Sequence, residues 1–207
     1  MPGNHDYCTF TSAASGHFER SFQPWLHGER VGEAYYPFAQ RVGAAWLVAV
    51  NSATANRWAW DASGAVGAAQ LQRLERLLTR LDGGPRILVT HYPVYRASGK
   101  PERGIRDLRD LDTVLEVARR GGISLWLHGH RHDRYHHAPS DLSPFPVICS
   151  GSATQHGKWS YGDYTLHGYR LTVMRRVYDA NGEKFSDAES FELKLPEYAE
   201  ARRVETA

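Results

Sequence analysis

Apolar residues follow two different spacings along the chain, and each spacing predicts one kind of element. A leucine stripe at helical spacing predicts a helix over residues 68–81, which Asp82-Gly83-Gly84-Pro85 should end. A second amphipathic stretch predicts a helix over residues 108–120. Short apolar runs predict four strands, at residues 35–40, 44–51, 87–90 and 124–127.

The order of these elements indicates the fold class. Strand, helix and strand alternate with short connections, which is typical of a parallel α/β arrangement. After residue 145 the pattern changes, and residues 147–150, 164–174 and 191–195 are predicted to be strands of an antiparallel portion. No linker divides the chain, so we expect a single domain over residues 1–207.

Net charge, apolar runs and cysteine usage argue against several classes of function. The formal net charge of +2 is too small to indicate nucleic-acid binding. No apolar run approaches the length of a membrane span, and no signal-peptide pattern is visible, so we expect a cytoplasmic location. The two cysteines, Cys8 and Cys149, stand apart without a CxxC partner, which argues against a disulfide framework and a cysteine zinc site.

Candidate chemistry lies where the predicted strands end. His91 follows one buried strand, and His128-Gly129-His130-Arg131-His132 follows another. In parallel α/β sheets, ligands bind beyond the carboxyl ends of the strands. Gly3-Asn4-His5-Asp6 adds an amide and another imidazole. Imidazole nitrogen and amide oxygen suit first-row metals such as Zn, Mn, Fe or Ni.

The residues alone leave two arrangements open. If His130 and His132 lie on a strand, their spacing of two puts them on one face. If Gly129 lets the backbone turn, the pair could aim at two neighbouring ions instead. Asp6 could orient His5 for proton transfer or cap the following turn.

The three blocks together resemble the calcineurin-like metallophosphoesterases. The signature of that family runs D-x-H, G-D, G-N-H-[DE], a lone His and then G-H-x-H. This chain shows the last three in order, as Gly3-Asn4-His5-Asp6, His91 and Gly129-His130-Arg131-His132. The resemblance implies a β-sandwich flanked by helices (α/β/β/α), with two divalent ions (Mn, Fe or Zn) at one edge.

The same resemblance assigns roles to individual residues. Asn4, His91 and His130 are similar to ligands of the second ion, and His132 to a ligand of the first. His5 is similar to the histidine that stabilises or protonates the leaving group, and Asp6 beside it stays a candidate to orient His5 or to cap the turn. The implied activity is hydrolysis of small-molecule phosphomonoesters or phosphodiesters by metal-activated water.

The D-x-H and G-D blocks have no counterpart before Gly3. In the family they supply the carboxylate that bridges the ions. We therefore expect an N-terminally truncated domain without the first strands of the sandwich, holding one ion or none. The alternative is a truncated or degenerate homologue that does not catalyse and binds at most one metal.

Several other residues have plainer interpretations. We expect His128 to support the ligands, and His136 and His137 to belong to a polar loop. Trp58 and Trp60 could wall a pocket, form an oligomer contact or simply pack under the loop, and His156 could approach the site. A solvated loop is favoured over phosphate contact for a set of basic residues, namely Arg96, Lys100, Arg103 and Arg106.

Overall fold

The computed structural model describes residues 1–7, 9–58 and 60–198 and contains two β-sheets. The main sheet has seven strands: β1 (Glu29–Arg30), β2 (Phe38–Val42), β3 (Ala45–Ala49), β4 (Arg86–Val89), β5 (Ile123–His128), β6 (Arg134–His137) and β7 (Val147–Ser150). The smaller sheet has three: β8 (Ser160–His167), β9 (Arg170–Asp179) and β10 (Lys184–Lys194). The helices are α1 (Phe10–Ser15), α2 (His17–Phe22), α3 (Ala68–Leu78) and α4 (Leu111–Arg120), with a 3-10 turn at Gln23–Trp25.

The strand order of the main sheet is β1-β2-β3-β4-β5-β7-β6. Its centre is parallel, because β3 pairs with β4, β4 with β5, and β5 with β7 in the same direction. The two edges are antiparallel. The carboxyl ends of four neighbouring strands therefore meet at one edge of the sheet, which is where the candidate residues lie.

Apolar side chains cover both faces of the main sheet. Helices α3 and α4 bury Leu74 and Val114 against one face, where Leu88 and Trp126 lie. On the other face, residues of the main sheet such as Ile87 pack against β9 of the smaller sheet. This packing confirms the predicted mixed α/β fold with a sheet sandwich flanked by helices. Among the described residues, no helix has the length and apolar character needed to cross a membrane.

Three element predictions were wrong. The single strand predicted at residues 164–174 is the hairpin β8–β9, which turns at Gly168, where φ is +59°. Residues 147–150 join the main sheet in parallel rather than the antiparallel portion. His136 and His137 lie on edge strand β6, not in a loop, because each side chain contacts a partner on another segment. The His136 ring stacks on Phe191 at 3.9 Å, and His137 Nε2 donates to the Arg96 carbonyl.

One of the two cysteines lies among the described residues. Cys149 is free and buried near the end of β7. Cys8 lies outside the described residues.

Candidate metal centre

Three distant segments meet at the carboxyl edge of the main sheet. Asn4 Oδ1 lies 2.8 Å from His91 Nε2 and 3.3 Å from His130 Nδ1. The two histidine nitrogens lie 3.2 Å from each other. We name Asn4, His91 and His130 the donor triangle. It brings together three of the four residues that the motif suggested as metal ligands.

The Gly3–Asp6 loop is fitted closely to His91. A Cβ atom built on Gly3 would lie 2.7 Å from Cε1 of the His91 ring, so a larger residue would push the loop away. Asp6 accepts a hydrogen bond from the Gly3 amide at 2.7 Å, and the Asp6 amide donates back to the Gly3 carbonyl. The Asp6 side chain therefore closes this turn, and among the described residues it makes no hydrogen bond to His5.

His91 is supported from the neighbouring strand. Its amide donates to Ser52 Oγ at 3.0 Å, and Ser52 is fully buried. The adjacent Asn51 is bound through both backbone groups by Gln70 of α3, which accepts from its amide and donates to its carbonyl. A helix, the end of β3 and the end of β4 thus fix the His91 backbone. Ser52 was not among the residues singled out from the sequence, although it directly follows a buried strand.

The histidine cluster follows β5 as a turn rather than as a strand. His130 and His132 both adopt left-handed φ angles, +65° and +58°, which are uncommon for residues with a Cβ. The strand-face arrangement is therefore wrong, because the ladder ends at His128. The Gly129 amide donates to the His91 carbonyl at 3.1 Å and joins the two histidine segments.

Burial makes the triangle histidines weak bases. Desolvation lowers the pKa of His91 to about 4, against the opposing charge of Asp6, with smaller contributions from His132 and His5. Desolvation likewise lowers the pKa of His130 to about 3, helped by the charges of His91, Arg131 and Arg106. Both imidazoles are neutral at pH 7, so their nitrogen lone pairs are free to bind a metal ion.

His128 is the last residue of β5, two positions before His130. Its side chain is buried, and desolvation lowers its pKa to about 4. Its Nδ1 donates to the Gly129 carbonyl at 3.0 Å, while its Nε2 has no hydrogen-bond partner in the described residues. His128 thus contacts the backbone of the segment that leads to His130, and its supporting role stays a prediction.

The remaining predicted residues lie outside the triangle. The Nδ1 of His132 is hydrogen-bonded to Gln155 Oε1, and among the described residues it makes no hydrogen bond to a triangle atom. We name His132 and Gln155 the outer pair. His5 is exposed, but its charge acts on the pKa of His91, so it lies on the same side of the molecule. The structure therefore separates the four candidate ligands into three that converge and one that does not.

An ion pair ties the basic loop to the histidine turn. Glu102 Oε2 lies 3.1 Å from a guanidinium nitrogen of Arg131, and the Glu102 side chain is only 9% exposed. Arg131 stands between His130 and His132, so this contact holds the turn from outside. Glu102 was not among the residues singled out from the sequence, because its partner Arg131 lies far along the chain.

Two other candidates stay apart from the triangle. Trp58 and Trp60 stack on each other at 5.0 Å and are 50% and 66% exposed. Plain burial under the loop is therefore wrong for them. His156 makes an edge contact with Trp159 at 5.1 Å rather than with the triangle histidines.

The donor triangle fits one divalent ion. Ligand atoms bound at about 2.1 Å and at right angles lie about 3.0 Å apart, close to the observed distances. Two neutral imidazoles and an amide oxygen are ligands that Zn, Mn and Fe accept. Among the described residues, no group of three or more His, Cys, Asp or Glu side chains is arranged for a metal ion.

Comparison with known proteins adds independent information. Residues 1–134 match the family model described as calcineurin-like phosphoesterase. No curated protein matches the chain. The fold is similar to PhoD (TM-score 0.59, 11% identity, 76% of this chain and 42% of PhoD). It is also similar to a dimetal phosphatase from Danio rerio, with a TM-score of 0.58 and 13% identity, over 78% of this chain and 61% of the phosphatase.

A third similar structure is GAP50, the anchor in the inner membrane complex of Plasmodium (TM-score 0.50, 12% identity, 80% of this chain and 55% of GAP50). Identities of 11–13% show a shared fold alone. The chain spans 42–61% of the length of these three structures.

Proposed function

The chain belongs to the calcineurin-like phosphoesterase family, and we propose that it hydrolyses small-molecule phosphate esters with a divalent metal ion held by the donor triangle. The observation that carries this proposal is the convergence of Asn4 Oδ1, His91 Nε2 and His130 Nδ1 within 3.3 Å of one another. Three segments far apart in sequence meet there, and each presents a metal-binding atom.

A bound divalent ion would supply Lewis-acid polarisation of the phosphoryl group and activation of water. Burial keeps His91 and His130 unprotonated, so both can bind the ion at neutral pH. The Asn4 side chain contributes a neutral oxygen. With no carboxylate in the triangle, we expect the ion to be held less tightly than in a complete dinuclear site. Zn, Mn and Fe are the candidate metals.

We assign proton transfer to His5. Its imidazole is exposed beside the triangle, where the leaving oxygen of an ester bound at Asn4 would lie. A histidine positioned within reach of such an oxygen can donate a proton to it. Asp6 acts indirectly, because its carboxylate holds the Gly3 amide and thereby fixes the turn that carries His5.

The experiment measures hydrolysis of nitrophenyl phosphate and bis(nitrophenyl) phosphate by the full chain with Mn, Fe or Zn. We expect metal-dependent turnover that His91→Ala abolishes and His5→Ala reduces by about 100-fold. His17→Ala, which changes an exposed histidine on α2, is the matched control and should retain full activity. Absence of turnover with all three metals would contradict the proposal.

One observation favours a second candidate, a binding protein without catalysis. His132 is engaged by Gln155, and the triangle contains no carboxylate, which favours a chain that binds at most one ion. Metal titration separates the two functions. One bound ion without turnover supports the binding protein, whereas two tightly bound ions with turnover that requires His5 exclude it.

A further inference from the structure

Two tryptophans are exposed on a loop whose backbone is held in place. Trp58 and Trp60 are 50% and 66% exposed, and their rings stack at 5.0 Å. The Asp61 amide donates to the Trp58 carbonyl at 3.0 Å and closes the turn that carries both side chains. The Asn56 side-chain amide donates to the carbonyls of Asp61 and Ser63, at 2.8 and 2.7 Å, and supports this turn. The loop therefore presents a fixed aromatic tip to solvent, and exposed apolar patches of this kind mark interaction surfaces.

A second loop lies beside the tryptophan loop and also has an apolar tip. The Gly64 amide donates to the Asp107 carbonyl, and the Arg109 amide donates to the Gly64 carbonyl, both at 2.9 Å. The Arg109 guanidinium group also donates to Asn56 Oδ1 at 3.2 Å, so the two loops are joined at their bases. A turn closed by the Asp107 amide carries Ile105, which is 54% exposed. We name the following residues the loop-tip surface: Arg57, Trp58, Trp60, Arg103, Ile105 and Arg106.

The charge exposed on the two loops, residues 54–64 and 96–107, has one sign. Every charged residue that is exposed in the described part of these loops is basic, namely Arg57, Lys100, Arg103 and Arg106. The acidic residues of the loops are partly buried, and Glu102 is paired with Arg131. Among the described residues, the side chains of Arg103 and Arg106 form no hydrogen bond or ion pair. Their guanidinium groups are therefore free to bind anionic groups.

The tryptophan loop also lies beside the donor triangle. The Tyr92 hydroxyl donates to the carbonyl of Ala62, two residues after Trp60, at 2.6 Å. The Tyr92 ring lies 4.6 Å from the His130 ring. A partner bound at the loop-tip surface would therefore lie close to the triangle.

Charge and side-chain chemistry indicate the partner. Indole rings favour the headgroup layer of a lipid bilayer, and arginine side chains there are attracted to anionic lipids. A second copy of this chain is disfavoured, because a two-fold contact would set Arg57, Arg103 and Arg106 against the same three residues. An anionic bilayer brings the opposite charge instead, and it accommodates protruding aromatic side chains without a matching groove.

We propose that the loop-tip surface docks this protein on an anionic lipid bilayer. Trp58, Trp60 and Ile105 enter the headgroup layer, and the arginines of the same surface contact lipid phosphates. Peripheral binding of this kind requires no membrane-spanning helix. It holds the donor triangle near the bilayer, and it does not depend on whether the triangle supports hydrolysis.

The test is sedimentation of the full chain with two kinds of vesicle, phosphatidylcholine alone and an equimolar mixture of phosphatidylcholine and phosphatidylserine. Trp60→Ala removes one tip side chain, and Trp25→Ala is its matched control, because Trp25 is 64% exposed on the 3-10 turn. Arg103→Gln/Arg106→Gln removes two charges. Its control, Arg76→Gln/Arg80→Gln, makes the same change at exposed positions on and just after α3.

We expect the unmodified chain to bind the mixed vesicles in preference to phosphatidylcholine, and less so at high salt. Arg103→Gln/Arg106→Gln should weaken the partition coefficient by about 25-fold, since each basic residue near an anionic surface contributes about fivefold. Trp60→Ala should weaken it by about tenfold, the loss expected for one large apolar side chain. Both controls should bind as the unmodified chain does. Quenching of tryptophan emission by brominated lipid in the unmodified chain is a second measurement that needs no variant.

Three results would overturn the inference: no sedimentation with the mixed vesicles, equal losses in Trp60→Ala and Trp25→Ala, or full binding by Arg103→Gln/Arg106→Gln. A dimer that Trp60→Ala dissociates, without vesicle binding, would assign the surface to a second copy and also overturn it. Binding of polyglutamate without vesicle binding would do the same in favour of an acidic polypeptide. Vesicle binding involves neither metal nor hydrolysis, so its failure leaves the proposed function untouched.

Discussion

His130 and His132 share a residue type, a turn and a backbone conformation, yet they lie in different surroundings. Both flank Arg131 with left-handed φ angles. His130 reaches the donor triangle, where burial lowers its pKa to about 3. His132 belongs to the outer pair with Gln155. The comparison shows that a histidine of this motif joins a candidate metal site only where distant segments, here those of Asn4 and His91, place further donor atoms beside it.

Loss of one triangle histidine should have the largest effect. His91→Ala removes one of three donors, and we expect zinc affinity to fall by at least about 100-fold, since loss of even an outer-shell partner costs about 10–100-fold. His132→Ala is the matched change in the outer pair and should cost less than about threefold. Competition with a chromophoric chelator measures both affinities. Equal losses would show that the comparison between triangle and outer pair is wrong.

The fit of the Gly3 loop offers the next test. Gly3→Ala would place a methyl group 2.7 Å from the His91 ring, and we expect the free energy of unfolding to fall by about 1–3 kcal/mol. Gly129→Ala is the matched change on the other side of His91, where the added atom lies at 3.8 Å, an ordinary contact. Urea denaturation measures both. If Gly129→Ala costs as much, the close approach of Gly3 is not what fixes the loop.

Much of the main sheet could be predicted from the sequence. Continuous apolar runs place β3, β4 and β5 close to their observed bounds, because strands buried on both faces carry few polar residues. Strand β6 could not be predicted in this way. It is an edge strand with alternating burial, and its polar residues His136 and His137 find their partners on segments far away in sequence.

The candidate site also contains residues that the sequence indicated and residues that it did not. Motif spacing and strand ends indicated His91 and the turn at residues 128–132. Residue spacing alone could not distinguish His130 from His132, which only the family resemblance assigned to different ions, because the distinction depends on Asn4, 126 residues before His130. The Glu102–Arg131 pair was missed for the same reason, since a contact between a loop and a distant turn leaves no local pattern.

Acid should lower the free energy of unfolding through the two triangle histidines. The folded chain lowers the pKa of His91 to about 4 and of His130 to about 3, whereas an unfolded histidine titrates near about 6.5. The unfolded state binds more protons between these values, so the free energy of unfolding should fall as pH decreases from about 6.5 toward 4. Metal-free denaturation at pH 7 and pH 5 measures the loss. We expect His130→Gln to reduce it. An unchanged loss in His130→Gln would refute this assignment.

The smallest effect concerns the residue between the two histidines. Glu102→Gln removes the charge that holds Arg131, and we expect the free energy of unfolding to fall by about 1 kcal/mol, because the carboxylate is buried while Arg131 is 27% exposed. Glu116→Gln breaks an exposed pair with Arg119 on α4 and should cost less than about 0.5 kcal/mol.

Zinc affinity of the same variants separates two ways in which Arg131 could matter. If the ion pair holds only the outside of the turn, Glu102→Gln should weaken zinc binding by no more than about threefold, because Asn4 and His91 still locate His130. A loss comparable to that of His91→Ala would mean that the ion pair, rather than the convergence of the three donors, sets the position of His130. The contrast between the donor triangle and the outer pair would then originate in the basic loop.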